Sequence, residues 1–233
     1  MNIKILHLLE GAKEATGLAV IIDVFRAFTV EAYLIHNGAA KVIPVGEKEL
    51  AYDYKKRDPA CILIGERRGR MLPGFDYGNS PSQIKNVDFT GKTVIHTTSA
   101  GTQGIANAAK ADEIITGSLV NARAIAEYII LRGFQEVSLV CMGLDAKAPT
   151  EEDTLCAVYL KSLLEGTHVD LPAEIENLKI TSGKKFFDKS LQDVFPEEDF
   201  HLSTEVDKFP FVLKVETSEA GLLSHIRKID VSY

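Results

Sequence analysis

Apolar residues arrive in short runs rich in valine and isoleucine, and between the runs they recur three and four positions apart. Runs of the first kind read as buried strands, and spacing of the second kind reads as helices with one packed face. The runs predict strands over Ile3–Leu9, Leu18–Val24, Lys41–Val45, Cys61–Ile64, Thr93–Thr97, Glu113–Thr116 and Val137–Met142. The helical spacing predicts helices over Ala27–His36, Glu47–Lys56, Gly101–Ala109 and Asn121–Leu131, and Pro149-Thr150 starts a longer one over Glu151–Leu164. Strands this uniformly apolar, alternating with helices, build a mostly parallel or mixed sheet covered on both faces. The fold class expected is therefore α/β, a three-layer α/β/α arrangement. Past Gly166 the pattern changes. LPAEIENLKITSGKKFFDKSLQDVF reads as two short helices, and FPFVLKVET and HIRKIDVSY read as added strands, antiparallel and at a sheet edge. With no repeat, low-complexity tract or flexible linker, residues 1–233 are expected to form a single domain, with 167–233 packed on its core.

Composition narrows the partners. Of 233 residues, 45% are hydrophobic and 25% charged, enough apolar material for a sizeable core. A net charge of −7 supplies no overall basic field for nucleic acid. The opening MNIKILHLLEGAKEA lacks the basic-then-apolar layout of a secretory leader, and no stretch approaches the roughly 20 apolar residues of a membrane span. The expectation is a cytoplasmic protein without membrane contact; base rates make a homo-oligomer possible. The three cysteines, Cys61, Cys141 and Cys156, have no metal or redox spacing and read as reduced core residues. The six histidines form no zinc-type pair, and His96, inside a strand, reads as packed.

Chemistry-bearing residues gather where strands end, which is where open α/β sheets bind ligands. LAVIID runs into Asp23 and Arg26; CILIG into Glu66, Arg67 and Arg68; TVIHT into Thr97, Thr98, Ser99, Gly101 and Thr102; VSLVCMG into Asp145 and then Glu151, Glu152 and Asp153. Asp23 alone is as well explained as a cap for the next helix. TTSAGTQGI resembles an anion cradle of backbone N–H groups and hydroxyls at a helix start, but matches neither the Walker nor the dinucleotide glycine pattern, and a plain capped turn explains it nearly as well. GERRGRMLPGFDYGNSP is a long connection in which Arg67, Arg68 and Arg70 can clamp oxyanions bidentately, and Glu66 can orient one of them or bind a metal. Its Met71, Phe75 and Tyr77 suggest a loop folded over a ligand, and Ser80-Pro81 the capped start of a short helix. Three acidic residues in the first turn after Thr150 suit the helix dipole but exceed what capping needs, and they are the oxygen donors Mg²⁺ prefers.

Taken together, IIDVFRAFT, GERRGRMLPGFDYGNSP, TTSAGTQGI, GSLVNARAIA and VCMGLDAKAPTEEDTLCA resemble the 2-phosphosulfolactate phosphatase family over about Ala19–Ala157. The GER…GFD.GNSP stretch is the specific part. The resemblance implies an α/β fold and a magnesium-dependent phosphohydrolase of coenzyme M biosynthesis, which removes phosphate from 2-phosphosulfolactate to leave sulfolactate. It places Asp23 and Arg26 in a D-x-x-R motif, Glu66, Arg67 and Asp76 to Ser80 in a second motif, and Glu152, Asp153 and Thr154 in an E-D-T motif. Many relatives carry Asn-Gly-Thr where this chain reads Ser99-Ala100-Gly101-Thr102, and the likeness weakens after Gly166.

The resulting expectation is Mg²⁺-assisted hydrolysis of a small anionic phosphate monoester. Asp23, Glu152 and Asp153 would hold the metal; Arg26, Arg67, Arg68, Asn79, Ser80, Thr98, Ser99, Gly101 and Thr102 would hold the substrate; Glu66 or Asp76 would move protons. Direct attack by water and an aspartyl-phosphate on Asp23 both remain open, although the D-x-D signature of haloacid-dehalogenase-type enzymes is absent. The alternatives are a phosphatase for another phosphorylated hydroxy acid and a non-catalytic binding protein for phosphate or sulfonate dianions.

Overall fold

The computed structural model describes residues 1–217 and 224–231. The first half of the chain runs β1 (Asn2–His7), α1 (Leu8–Glu14), β2 (Leu18–Ile22), α2 (Ala27–His36), β3 (Lys41–Pro44), α3 (Lys48–Arg57), β4 (Ile62–Arg67), β5 (Arg70–Met71), α4 (Pro81–Ile84) and β6 (Thr93–Thr97). It continues with α5 (Gly101–Asn107), β7 (Glu113–Gly117), α6 (Ala122–Arg132), β8 (Glu136–Cys141), α7 (Glu151–Glu165), α8 (Leu171–Leu178), α9 (Glu197–Ser203), β9 (Phe211–Thr217) and β10 (Ser224–Asp230). Single 3₁₀ turns lie at Lys184–Phe187 and Lys189–Leu191. The fold is α/β, with a mixed sheet of ten strands in the order β1-β8-β2-β7-β9-β10-β3-β6-β4-β5.

Side chains of successive strand residues point to opposite faces, and the core divides accordingly. In β2, Leu18, Val20 and Ile22 pack with α6 and α7, while Ala19 and Ile21 pack with Ala12 of α1 and Ile105 of α5. In β3, Val42 packs with α2 and α4, while Ile43 packs with Ala51 of α3. Both faces are covered, which is why the strands read as unbroken apolar runs. Among the described residues no helix is long and apolar enough to cross a membrane.

Two expectations change. The run Ile3–Leu9 does not continue as strand: the chain turns at Leu8 (φ 62°) into α1, and Gly11 and Ala12 are buried. The C-terminal strands are antiparallel as expected but do not lie at an edge. β9 pairs with β7 and β10 meets β3 at Ile226–Val42, so the hairpin joins two parallel stacks, β1-β8-β2-β7 and β3-β6-β4. Phe211, Val212 and Leu213 are almost fully buried there. The expected strand HIRKIDVSY ends in Ser232 and Tyr233, which lie outside the described residues.

Because three antiparallel pairings separate β7 from β3, the two stacks run in opposite senses along the ladder. Among the described residues β10 meets β3 through the single pair Ile226–Val42. The residues that follow the carboxyl ends of β2, β4, β6 and β8 nevertheless line one cavity. The segment between α7 and β9 closes over that cavity through its own apolar cluster, with Leu178, Phe186 and Phe200 packed against Leu155 and Phe25.

Candidate active site

The cavity measures about 550 Å³ and takes Asp23 and Arg26 from the end of β2, Glu66 and Arg68 from β4, Ser99 and Ala100 from β6, and Gly143 from β8. α7 adds Glu151, Glu152 and Asp153, and the C-terminal segment adds Ser182, Lys185 and Phe195.

Asp23 both ties down a helix start and lines the cavity. Its Oδ1 accepts the Ala27 N–H at 3.1 Å, tying down the start of α2. Its Oδ2 has no hydrogen-bond partner among the described residues and faces Gly101, where even one methyl group would come within 3.0 Å of it. Gly101 is thus required by the carboxylate beside it. Burial pushes the Asp23 carboxyl up to about 7 against the Ala27 hydrogen bond, and Glu66 and Glu152 push the same way as burial.

Asp153 lies under the floor. Its Oδ1 accepts the Val24 N–H at 2.9 Å and its Oδ2 the Gly143 N–H at 2.8 Å, stapling the ends of β2 and β8 together. Burial, then Glu152 and Asp23, hold its carboxyl well above the ordinary aspartate range. Burial also raises Glu152, against the nearby Lys185 ammonium. Glu152 Oε2, Thr150 Oγ1 and Ser182 Oγ are buried; the two hydroxyls lie close enough to the Glu152 carboxyl to favour its charged form, but none of the three atoms reaches hydrogen-bond geometry with a partner among the described residues. Buried polar atoms of this kind call for a ligand or ion.

Glu66 reaches the cavity wall with both oxygens in use. Oε1 accepts the Ser99 N–H at 2.7 Å, and Oε2 accepts the Gly69 N–H at 2.6 Å and the Ser99 hydroxyl at 3.2 Å. It binds the β4–β5 turn to the β6–α5 turn. Gly69, at φ 78°, forms the tip of that hairpin directly beneath Phe195, where a Cβ would come within 2.4 Å of the ring.

Arg26 is 3% exposed and already paired: Nη1 donates to Asp199 Oδ2 at 2.6 Å and to the Val194 carbonyl at 3.0 Å. Asp199, on α9, also accepts from Ser80 Oγ (2.7 Å) and from the Ser82 N–H (2.9 Å). This buried carboxylate therefore fixes the D-x-x-R arginine and the GNSP loop at once. Neither Asp199 nor Lys185 was among the residues expected from sequence. Both fall in the part of the chain that reads only as packed on the core, with nothing local to direct either side chain to the site.

Several expected residues stand elsewhere. Asp76 is a correction: it is 40% exposed, pairs with Lys55 at 3.2 Å, accepts the Leu63 N–H, and does not line the cavity. Arg67 is spent on the carbonyls of Glu66 and Gly46 and on Thr97 Oγ1. Thr98 and Thr102 hydrogen-bond to each other across the β6–α5 turn, holding its shape, and do not face the cavity. Ser80 occupies the position before α4, but its hydroxyl serves Asp199 and caps nothing. Phe75 packs with Tyr52 and Tyr77 with Phe89, so the loop's aromatic residues anchor it to the domain, while Met71 is exposed. Asn79, Arg68 and Ser99 do line the cavity; Asn79 Oδ1 lies 3.2 Å from Nε2 of His96, whose Nδ1 is 3.0 Å from buried Glu31. His96 is buried, and so are all three cysteines.

Among the described residues, no group of three His, Cys, Asp or Glu side chains is placed to hold a metal ion by itself. Mg²⁺ does not require one: it takes one or two carboxylates and completes its shell with water and substrate oxygens. The residues fit such an ion. The donors are all oxygen, Asp23 Oδ2 and Glu152 Oε2 lack hydrogen-bond partners among the described residues, and three carboxyls raised by burial, Asp23 and Asp153 also by neighbouring carboxylates, invite a cation among them.

Residues 4–218 match the model of the 2-phosphosulpholactate phosphatase family. Three relatives, each named a probable 2-phosphosulfolactate phosphatase, illustrate the likeness. The protein of Caldicellulosiruptor saccharolyticus is 40% identical over 62% of this chain and 61% of its own length. That of Caldanaerobacter subterraneus subsp. tengcongensis is 34% identical over 84% and 87%. The Bacillus subtilis protein is 33% identical over 84% and 86%. A match that runs through both parallel stacks and the segment supplying Lys185 and Asp199 covers every wall of the cavity, and the chain belongs to the 2-phosphosulpholactate phosphatase family.

Proposed function

We propose that this cavity hydrolyses a small anionic phosphate monoester with the help of Mg²⁺, and that 2-phosphosulfolactate is the substrate, giving 3-sulfolactate and phosphate. The observation that carries the reading is the lining of one cavity of about 550 Å³: the buried carboxylates of Asp23, Glu152 and Asp153, two of which keep an oxygen without a hydrogen-bond partner among the described residues, beside the guanidinium groups of Arg26 and Arg68 and the ammonium of Lys185. Asp199 and Glu152 offset part of the basic set, but a neutral ligand would leave the remaining donors and the unpartnered carboxylate oxygens unmet. A phosphate ester together with a divalent cation compensates both.

Asp23 and Glu152 would hold the metal, with Asp153 setting the positions of the β2 and β8 ends beneath it. When bound, Mg²⁺ would neutralise charge on the phosphoryl oxygens, the main electrostatic demand of such a transfer. The chain's own part is positioning. Arg26, held rigid by Asp199, and Arg68 present donors to anionic oxygens; Glu66 holds the Ser99 turn in place; and Phe25 and Phe195 keep water from one side of the cavity.

Phosphate release from 2-phosphosulfolactate and from a panel of phosphorylated hydroxy acids tests this. The expected result is turnover that stops with EDTA and returns with Mg²⁺. Unaltered rates after thorough chelation remove the metal from the reaction, and silence across the whole panel removes hydrolysis.

A further inference from the structure

Arg26 and Lys185 lie 159 positions apart in the chain but are held over the same two rings. The Arg26 guanidinium is 5.0 Å from the Phe195 centroid and 5.9 Å from that of Phe186; the Lys185 ammonium is 5.2 Å and 5.5 Å from the same two. Asp199 neutralises one side of Arg26, but Lys185 makes no ion pair or hydrogen bond among the described residues. Burial lowers the ammonium's proton affinity; Glu152 opposes that and Arg26 adds to it. Three residues upstream, the buried Ser182 hydroxyl also lacks a partner and lines the same cavity. Asp199 offsets Arg26 and the nearby carboxylates, Glu152 first, offset part of the Lys185 charge, but the ammonium's donors and the Ser182 hydroxyl still lack hydrogen-bond partners among the described residues, which a bound anion would supply.

That anion differs from the one beside the carboxylates. The acidic group of Asp23, Glu152 and Asp153 suits a metal-bound phosphoryl group; Lys185, which also feels those carboxylates, enters from the C-terminal segment on the side walled by Phe25 and Phe195. We infer that Lys185, with Ser182 and Arg26, is the specificity determinant for a second anionic group, a sulfonate or carboxylate carried on the substrate's carbon chain away from phosphorus. The inference rests on the phosphatase reading for its substrate class and adds which residues of this chain read the second oxyanion.

Calorimetry on the intact chain with Mg²⁺ present tests it, with sulfoacetate, malonate and inorganic phosphate as probes. Lys185→Met should weaken sulfoacetate binding roughly ten- to a hundredfold, the loss of one charge-assisted hydrogen bond, and at least tenfold more than it weakens phosphate binding. Lys185→Arg should recover most of the loss, and Ser182→Ala, which removes a single oxygen, should give a smaller loss in the same direction. A larger Lys185-dependent loss for malonate identifies the second group as carboxylate. No binding of either diacid, no loss, or equal losses for diacids and phosphate overturn the inference, since Lys185 would then serve the phosphoryl end or merely balance Glu152. Lys185-dependent sulfoacetate binding by a protein that releases no phosphate keeps the second anion site and rejects hydrolysis instead.

Discussion

Replacing Asp23 by asparagine separates what the carboxylate does for chemistry from what it does to the fold. Asparagine keeps an oxygen for the Ala27 N–H, so the start of α2 is retained. It removes a charge that the folded chain holds at a disadvantage, because burial moves the carboxyl from 3.8 to about 7. The sign follows from proton counting. Between those two values the folded protein holds a proton that the unfolded chain has released, so wild-type stability falls as pH rises through that window and levels off above about 7. At about 1.4 kcal/mol per pH unit, the penalty is on the order of 4 kcal/mol at pH 8 and under about 2 kcal/mol at pH 5. Metal-free Asp23→Asn is therefore expected to unfold at a higher urea concentration than wild type at pH 8, with the gap shrinking at pH 5, while phosphate release nearly disappears. Urea titrations in EDTA at both pH values, with equal slopes, measure this. A variant less stable than wild type at pH 8, or a gap independent of pH, would refute the reasoning, and full phosphatase activity would remove Asp23 from the reaction.

Asp199→Ala leaves the buried Arg26 guanidinium without its partner and frees the Ser80 loop, so unfolding free energy should drop by about 3–5 kcal/mol in urea titrations and kcat/KM should fall with it. Asp76→Ala, outside the cavity, should keep kcat/KM within about twofold while losing about 1 kcal/mol because the Leu63 N–H loses its acceptor. Gly101→Ala places a methyl group 3.0 Å from Asp23 Oδ2 and 2.9 Å from the Ala27 Cβ, and displacement of the carboxylate should lower kcat/KM by roughly a hundredfold in steady-state assays.

The elements were legible because hydrophobic periodicity is local. α2 falls on Ala27–His36 as the spacing indicates, and Glu151 opens α7 where Pro149-Thr150 signals it. The strand-end rule brought Asp23, Arg26, Glu66, Ser99, Glu152 and Asp153 to one cavity without any knowledge of strand order. Where that reading failed, the side chain had a nearer partner than the ligand. Asp76 found Lys55, Arg67 found two carbonyls, and Thr98 and Thr102 found each other. Residue type states what a group can bind, but competition among neighbours decides what it does bind.

Tertiary structure alone decided three things: the hairpin of β9 and β10 between the two stacks, the pairing of Asp199 with Arg26, and the arrival of Lys185 in the cavity. An alternating strand pattern specifies which residues face inward but carries no address for the strand it will join. Irregular segments such as 179–196 acquire their role only from the surface that they cover. The amino-acid order thus settled the α/β class, the helices and the acidic and arginine-bearing strand ends, because each depends on residues a few positions apart. The sharing of one cavity by opposed stacks, and the lysine that completes it, depended on contacts across more than a hundred positions.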